Sequence, residues 1–160
     1  MAGTLKVKIE ENIILDNQDY GSKRVLEVSS IASIVKRIVN IGTNEIGLLG
    51  FGTAYNTELS KSYLAGQFDE DNVRYIRITN LDSTNHIALV LKNENNDEFG
   101  VKVDKGCSFL YCADLSGGVV DTMDSADAAG ITPNSFGDLV DITCAADTAA
   151  CDVEVFVAST

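Results

Sequence analysis

The chain carries few side chains of the kinds that do chemistry. Its one histidine is His86, placed where the turn Leu81-Asp82-Ser83-Thr84-Asn85 meets an apolar run. A Ser-His-Asp or Cys-His mechanism would have to use it as the base. Nothing around Ser83 or any cysteine resembles a nucleophile-bearing elbow, so His86 is expected at a strand edge, without a catalytic role. The four cysteines are Cys107, Cys112, Cys144 and Cys151, and none forms a Cys-x-x-Cys pair. With one histidine to assist them, zinc is not expected. Cys144 and Cys151 are separated by Ala-Ala-Asp-Thr-Ala-Ala. If those six residues form a hairpin loop, the two sulfurs could face each other, and this pair is the candidate disulfide. Disulfide geometry needs Cα atoms about 4.4–6.8 Å apart. The competing expectation is four small, buried, reduced thiols.

The remaining candidates are weaker still. Asp69-Glu70-Asp71-Asn72 and Asn93 to Glu98 are acidic loops, but neither has the ligand spacing of a calcium loop. Gly47, Gly50 and Gly52 do not follow the order of a phosphate-binding loop, and no Lys-Ser/Thr comes after them. Arg74 and Arg77 flank Tyr75 in the manner of a single-strand nucleic-acid platform. The period of two puts the two arginines on opposite faces, which argues against it. No catalytic residue, cofactor or metal is expected.

The elements that must position these residues follow from size and pattern. The chain has 160 residues, of which 45% are hydrophobic and 22% charged. That is the composition of one folded domain with its own core. Twelve basic against 24 acidic residues give a net charge of −12, which disfavours sequence-general nucleic-acid binding. No run approaches 18 apolar residues, so no membrane span is expected, and the N-terminus lacks the apolar stretch of a signal peptide. The last 55 residues hold nine acids and no Lys or Arg. Apolar residues are interleaved with them, so this reads as a folded segment with acids on its solvent side, not an acidic tail.

The prevailing period is two. Leu5, Val7 and Ile9 alternate with Lys6, Lys8 and Glu10, as in a half-buried strand. Strands are expected at Val25–Ser30, Ile31–Asn40 and Ile46–Phe51, the second despite paired apolar residues that also suit a helix. Residues 53–66 are ambiguous between a short helix on Tyr55, Leu59 and Tyr63 and a polar loop. Strands at Val73–Asn80, His86–Lys92, Glu98–Asp104 and Cys107–Cys112, joined by Asn/Asp/Gly turns, predict an antiparallel meander. Residues 121–137 read as a long loop, and Leu139–Cys144 and Asp152–Ala158 as closing strands. About eight to ten strands with little helix predict an all-β fold, an antiparallel β-sandwich or jelly-roll-like single domain. Residues 1–20 are expected to be an N-terminal strand or arm, and residues 21–160 the β-sandwich domain.

Val73 to His86, Lys92 to Phe99, Ala113 to Asp124 and the closing Cys151 to Thr160 together resemble small virion proteins of marine tailed bacteriophages, cyanophages among them. The resemblance spans roughly residues 25–160 and rests on phrasing, not on a catalytic motif. It implies a non-enzymatic β-sandwich component of the virion, assembled in the host cytoplasm. It suggests a capsid decoration (cement) protein on the outside of the head, partnered by the major capsid protein or another virion protein. It also suggests a homo-oligomer such as a trimer, with no direct nucleic-acid contact and no membrane. Within that frame Lys6 and Lys8 are the candidate partner-binding residues of an arm. The alternatives are a tail, fibre or adaptor component and, from another class, a small carbohydrate-binding jelly-roll module. The absence of tryptophan for stacking on sugars argues against the last.

Overall fold

A computed structural model describes residues 2–52, 63–112, 115, 118–119 and 136–160. The helix weighed for Tyr55 and Leu59, and residues 121–135 of the expected long loop, lie outside them. The strands are β1 (Gly3–Glu11), β2 (Ile14–Leu15), β3 (Gln18–Asp19), β4 (Ser22–Ile31), β5 (Ser33–Ile41), β6 (Ile46–Phe51) and β7 (Gln67–Phe68), then β8 (Val73–Asn80), β9 (Ile87–Asn93), β10 (Glu98–Val103), β11 (Ser108–Tyr111), β12 (Leu139–Ala146) and β13 (Cys151–Ser159). Among the described residues the one helical element is a 3₁₀ turn at Glu70–Asn72, capped by Asp69. The fold is all-β, as expected. Residues 33–41 form a strand despite their helix-like pairing of apolar residues.

Two sheets face each other, one in the order β11-β8-β13-β5 and the other β10-β9-β12-β6-β7. Each strand of the first has its sequence neighbour at the matching place in the second: β5 with β6, β8 with β9, β11 with β10, β13 with β12. This is the winding of a jelly roll, in which paired strands wrap as a unit and bury one face between two sheets. Ile76 and Ile78 on β8, Val153, Val155 and Val157 on β13, Leu89 on β9 and Ile142 on β12 fill that interior. The alternation is strict along β13, where the inward valines alternate with Asp152, Glu154 and Phe156.

The expected meander is corrected by this topology. Only β9 and β10 form an in-sheet hairpin; β8 and β11 pair with each other in the opposite sheet. The turns at 81–85 and 104–107 are corners between sheets. Buried Asn80 ties both together. Its amide donates to the Asn85 carbonyl at 2.9 Å and the Val103 carbonyl at 3.3 Å, and its Oδ1 accepts from the Asp82 N–H. Its backbone exchanges hydrogen bonds with Gly106 and Cys107. A buried amide survives in a core only when satisfied in this way.

The N-terminal segment stands outside the sandwich. β1 and β4 pair only with each other, as a two-stranded hairpin. At its far end β2 and β3 close a tight turn with Asp16 and Asn17 at φ 51° and 62°. Positive φ at both positions is the type I′ arrangement that suits hairpin twist, and Asp and Asn are the non-glycine residues that tolerate it. At the near end Gly3 faces Ile31 and Leu5 faces Val28, so β4 carries one extra residue. Ser30, at φ 64°, marks this bulge, which bends the strand where the hairpin leaves the domain. Residues 20 and 21, the boundary expected between arm and sandwich, lie near the far end of this hairpin.

Candidate interaction surface

Register decides what each face of the hairpin can do. Residues directly opposite share a face. Leu5 with Val28 and Val7 with Leu26 make one apolar face; Lys6 with Glu27 and Glu10 with Lys23 make the other, charged one. At the root the apolar face has a partner. Leu5, Val7 and Val28 pack on a satellite core of Ile31, Tyr75 and Ala158, with Phe156 beside it. Tyr75 meets the Phe156 ring edge-on at 5.8 Å, and the Arg77 guanidinium sits over the Phe156 ring, 5.9 Å from its centroid. The root thus lies on the outer face of the β11-β8-β13-β5 sheet. A ladder of charge continues across that face, from Arg77 to Glu154 and from Glu154 to Lys36, the latter at 3.1 Å.

Farther out the apolar face has no partner among the described residues. Every residue from Lys8 to Glu27 is exposed. Ile9 and Leu26 are exposed on that face, Ile13, Leu15, Tyr20 and, at 76%, Ile14 are exposed toward the turn, and Val25 is exposed on the charged face opposite Lys8. Large apolar side chains clustered at the end of a projecting hairpin mark a contact surface far more than the same residues scattered singly would. Beside the root lies a cavity of about 340 Å³, walled by Gly3, Thr4, Leu5 and Lys6 on the arm and by Ile31, Ala32 and Ile34 at the start of β5. β5 is the edge of its sheet, and its Ile34 and Ile38 are 57% and 61% exposed on the outer face.

Lys6 and Lys8 lie on the charged face of this arm. Lys6 pairs with Glu27 at 2.8 Å, both more than half exposed. Lys8 stands opposite Val25. The structure brings these two lysines together and separates them from the other candidates. His86 is at a corner, its Nδ1 3.4 Å from the Asp147 carboxylate. Arg74 turns back on its own chain, donating to the Asp71 carbonyl at 2.7 Å, while Arg77 is held by Glu154. The acidic loops organise themselves: Asp69 accepts from the Asp71 N–H and the Asn72 amide. Asn93 accepts from the N–H groups of Asn95 and Asp97. Among the described residues no three His, Cys, Asp or Glu side chains converge as a metal site would require.

Cys144 and Cys151 enter the core from opposite sheets, because the loop between them is a corner and not an in-sheet hairpin. All four cysteines are free thiols, Cys107 and Cys112 exposed and Cys144 and Cys151 buried. Burial, with a smaller contribution from Cys151, pushes the Cys144 thiol up to about 12. A thiol so placed stays protonated and is a poor nucleophile.

One pair escapes sequence reading. Tyr63 lies flat over Gly50 on the outer face of the other sheet; a Cβ at residue 50 would sit 2.4 Å from its ring. Its hydroxyl donates to Asp141 Oδ2 at 3.4 Å. Desolvation first, then the Asp141 charge, raises the Tyr63 phenol to about 12. Asp141 is itself buried, 2% exposed, beside Thr143, whose hydroxyl donates to Glu45 at 2.6 Å. An acid interrupting Leu139-Val140-Asp141-Ile142 was the available signal, but its partner lies 78 residues away. No protein-family model matches the chain, and no curated protein matches it.

Proposed function

We propose that the protein is a non-enzymatic structural component of a bacteriophage virion, a capsid decoration protein that braces the outer surface of the head. The observation that carries this reading is the hairpin arm: a two-stranded projection whose distal apolar residues find no partner among the described residues. It is attached to a two-sheet domain with a core built from both sheets. A rigid block with an incomplete arm suits assembly, not turnover. Jelly rolls serve as viral shell domains and also as lectins, so the fold alone does not choose between them. The resemblance to small virion proteins of marine tailed phages favours the first. A net charge of −12 suits a surface component that keeps particles dispersed.

The test is stoichiometry in purified particles. A decoration protein is present on the order of hundreds of copies, following the symmetry of the shell. A tail, fibre or adaptor component is present in tens or fewer, and that result would overturn the head assignment. Absence from particles would overturn the virion assignment altogether.

A further inference from the structure

The ends of the arm differ in charge. Residues 9–24, its distal half by register, hold Glu10, Glu11, Asp16 and Asp19 against Lys23 and Arg24, a net −2. Residues 1–8 and 25–41, its base and the strand β5 beside it, hold Lys6, Lys8, Lys36 and Arg37 against Glu27, a net +3, in a chain that is −12 overall. Each end also carries unmatched apolar surface. The tip presents Ile13, Ile14 and Leu15 around its turn. The base presents the cavity of about 340 Å³ with Ile34 in its wall. Lys36 follows Ile34 on the same outer face of β5, its side chain 59% exposed and its ammonium 3.1 Å from Glu154. The cavity is large enough to accept an aliphatic side chain with room for a second.

The tip cannot reach the cavity of its own chain. It is separated from it by the length of β1, nine residues and about 30 Å at the rise of an extended strand. We infer that the occupant of the cavity is the arm tip of a second copy of this chain. Ile14 seats against Ile34 and Leu5, and the acidic collar of the tip faces the basic base of its neighbour. The contact joins two different patches, so repetition about an axis closes a ring, whereas mutual exchange of arms gives a dimer. This inference deepens the assembly reading above by naming the partner of the arm as the chain itself.

The experiment uses the purified full-length protein, with no particle present, in analytical ultracentrifugation at low and high salt. The wild type is expected to self-associate, and the association to weaken with salt as the charge attraction is screened. Ile14→Asp removes the tip's anchor and Ile34→Asp puts a charge in the cavity wall. Each is expected to weaken self-association at least about tenfold, since each forfeits burial of an aliphatic side chain and leaves a charge to be desolvated. An equimolar mixture of the two variants retains one intact tip and one intact cavity, so it is expected to recover 1:1 heterodimers. Circular dichroism and melting confirm folding; if Ile34→Asp does not fold, Ile34→Ser replaces it.

A wild type that stays monomeric at about 100 µM overturns the inference. So does an Ile34 variant that associates like the wild type, or a mixture that does not recover. Failure of the two readings is distinguishable. A monomer in solution that coats particles in high copy, and is lost from them on Ile14→Asp, places the tip on another virion protein and leaves the decoration reading intact. Salt-sensitive self-association with no incorporation into particles does the reverse.

Discussion

Ile78 and Leu89 approach the same interior from opposite sheets, and both are fully buried. Truncating Ile78 to Ala removes three carbon atoms from that interior. At about 0.8 kcal/mol per buried methylene, the transfer loss alone is about 2.4 kcal/mol. The cavity left behind adds to it, because two hydrogen-bonded sheets cannot collapse freely around a single missing side chain. The expected total is about 2–5 kcal/mol. Leu89→Ala is expected to fall in the same range. For a chain of this length that corresponds to a fall in Tm of roughly 5–15 °C. The control is Ile38→Ala on the outer face of β5, 61% exposed, expected to change stability by no more than about 0.5 kcal/mol. Urea unfolding followed by far-ultraviolet circular dichroism measures all three, since the chain has no tryptophan to report by fluorescence. A change below about 0.5 kcal/mol for Ile78→Ala or Leu89→Ala, or an Ile38→Ala cost equal to theirs, would refute the two-sheet core described above.

Three further expectations follow from the same geometry. A thiol reagent applied to the native protein should modify Cys107 and Cys112 and spare Cys144 and Cys151 until the chain is unfolded; four rapidly reacting thiols would contradict the burial of that pair. Tyr63 and Cys144 have folded-state values raised to about 12 from ordinary values of 10.0 and 9.0. The folded protein therefore holds their protons more tightly than the unfolded chain does, and their contribution is complete below pH 9 and lost as pH rises through about 12. Urea midpoints at pH 8 and pH 11 should fall in that order, and equal midpoints would count against both shifts. Gly50→Ala should push the Tyr63 ring off β6 and bring one tyrosine back toward ordinary titration. Ultraviolet difference titration reads this directly, and an unchanged curve would mean that the ring does not lie there.

Much of the strand content was legible in the sequence because alternation is a local property. Val73–Asn80 and Ile46–Phe51 coincide with the strands found, and most other boundaries shift by one to three residues. What was not legible was where each turn leads. Leu81–Asn85 and Asn93–Asp97 both read as Asn- and Asp-bearing turns, yet the first crosses between sheets and the second returns within one. The difference lies in Asn80, whose amide reaches a carbonyl 23 residues away. The candidate site divides in the same way. Lys6 and Lys8 were readable as one charged face of an alternating segment. The exposure of the whole span from Lys8 to Glu27 was not, because the same alternation describes a strand inside a sandwich.

By itself, then, the sequence determined that this chain would be a β protein with an acidic surface, since side-chain alternation and charge need no knowledge of partners. The tertiary structure decided that the strands wind as a jelly roll, that Cys144 and Cys151 approach from opposite sheets, and that residues 2–31 lie on and beyond the sandwich. Those outcomes depend on pairings between residues far apart in the chain. Hydrogen-bond register and the closure of a shared core select such pairings, and no local pattern encodes them.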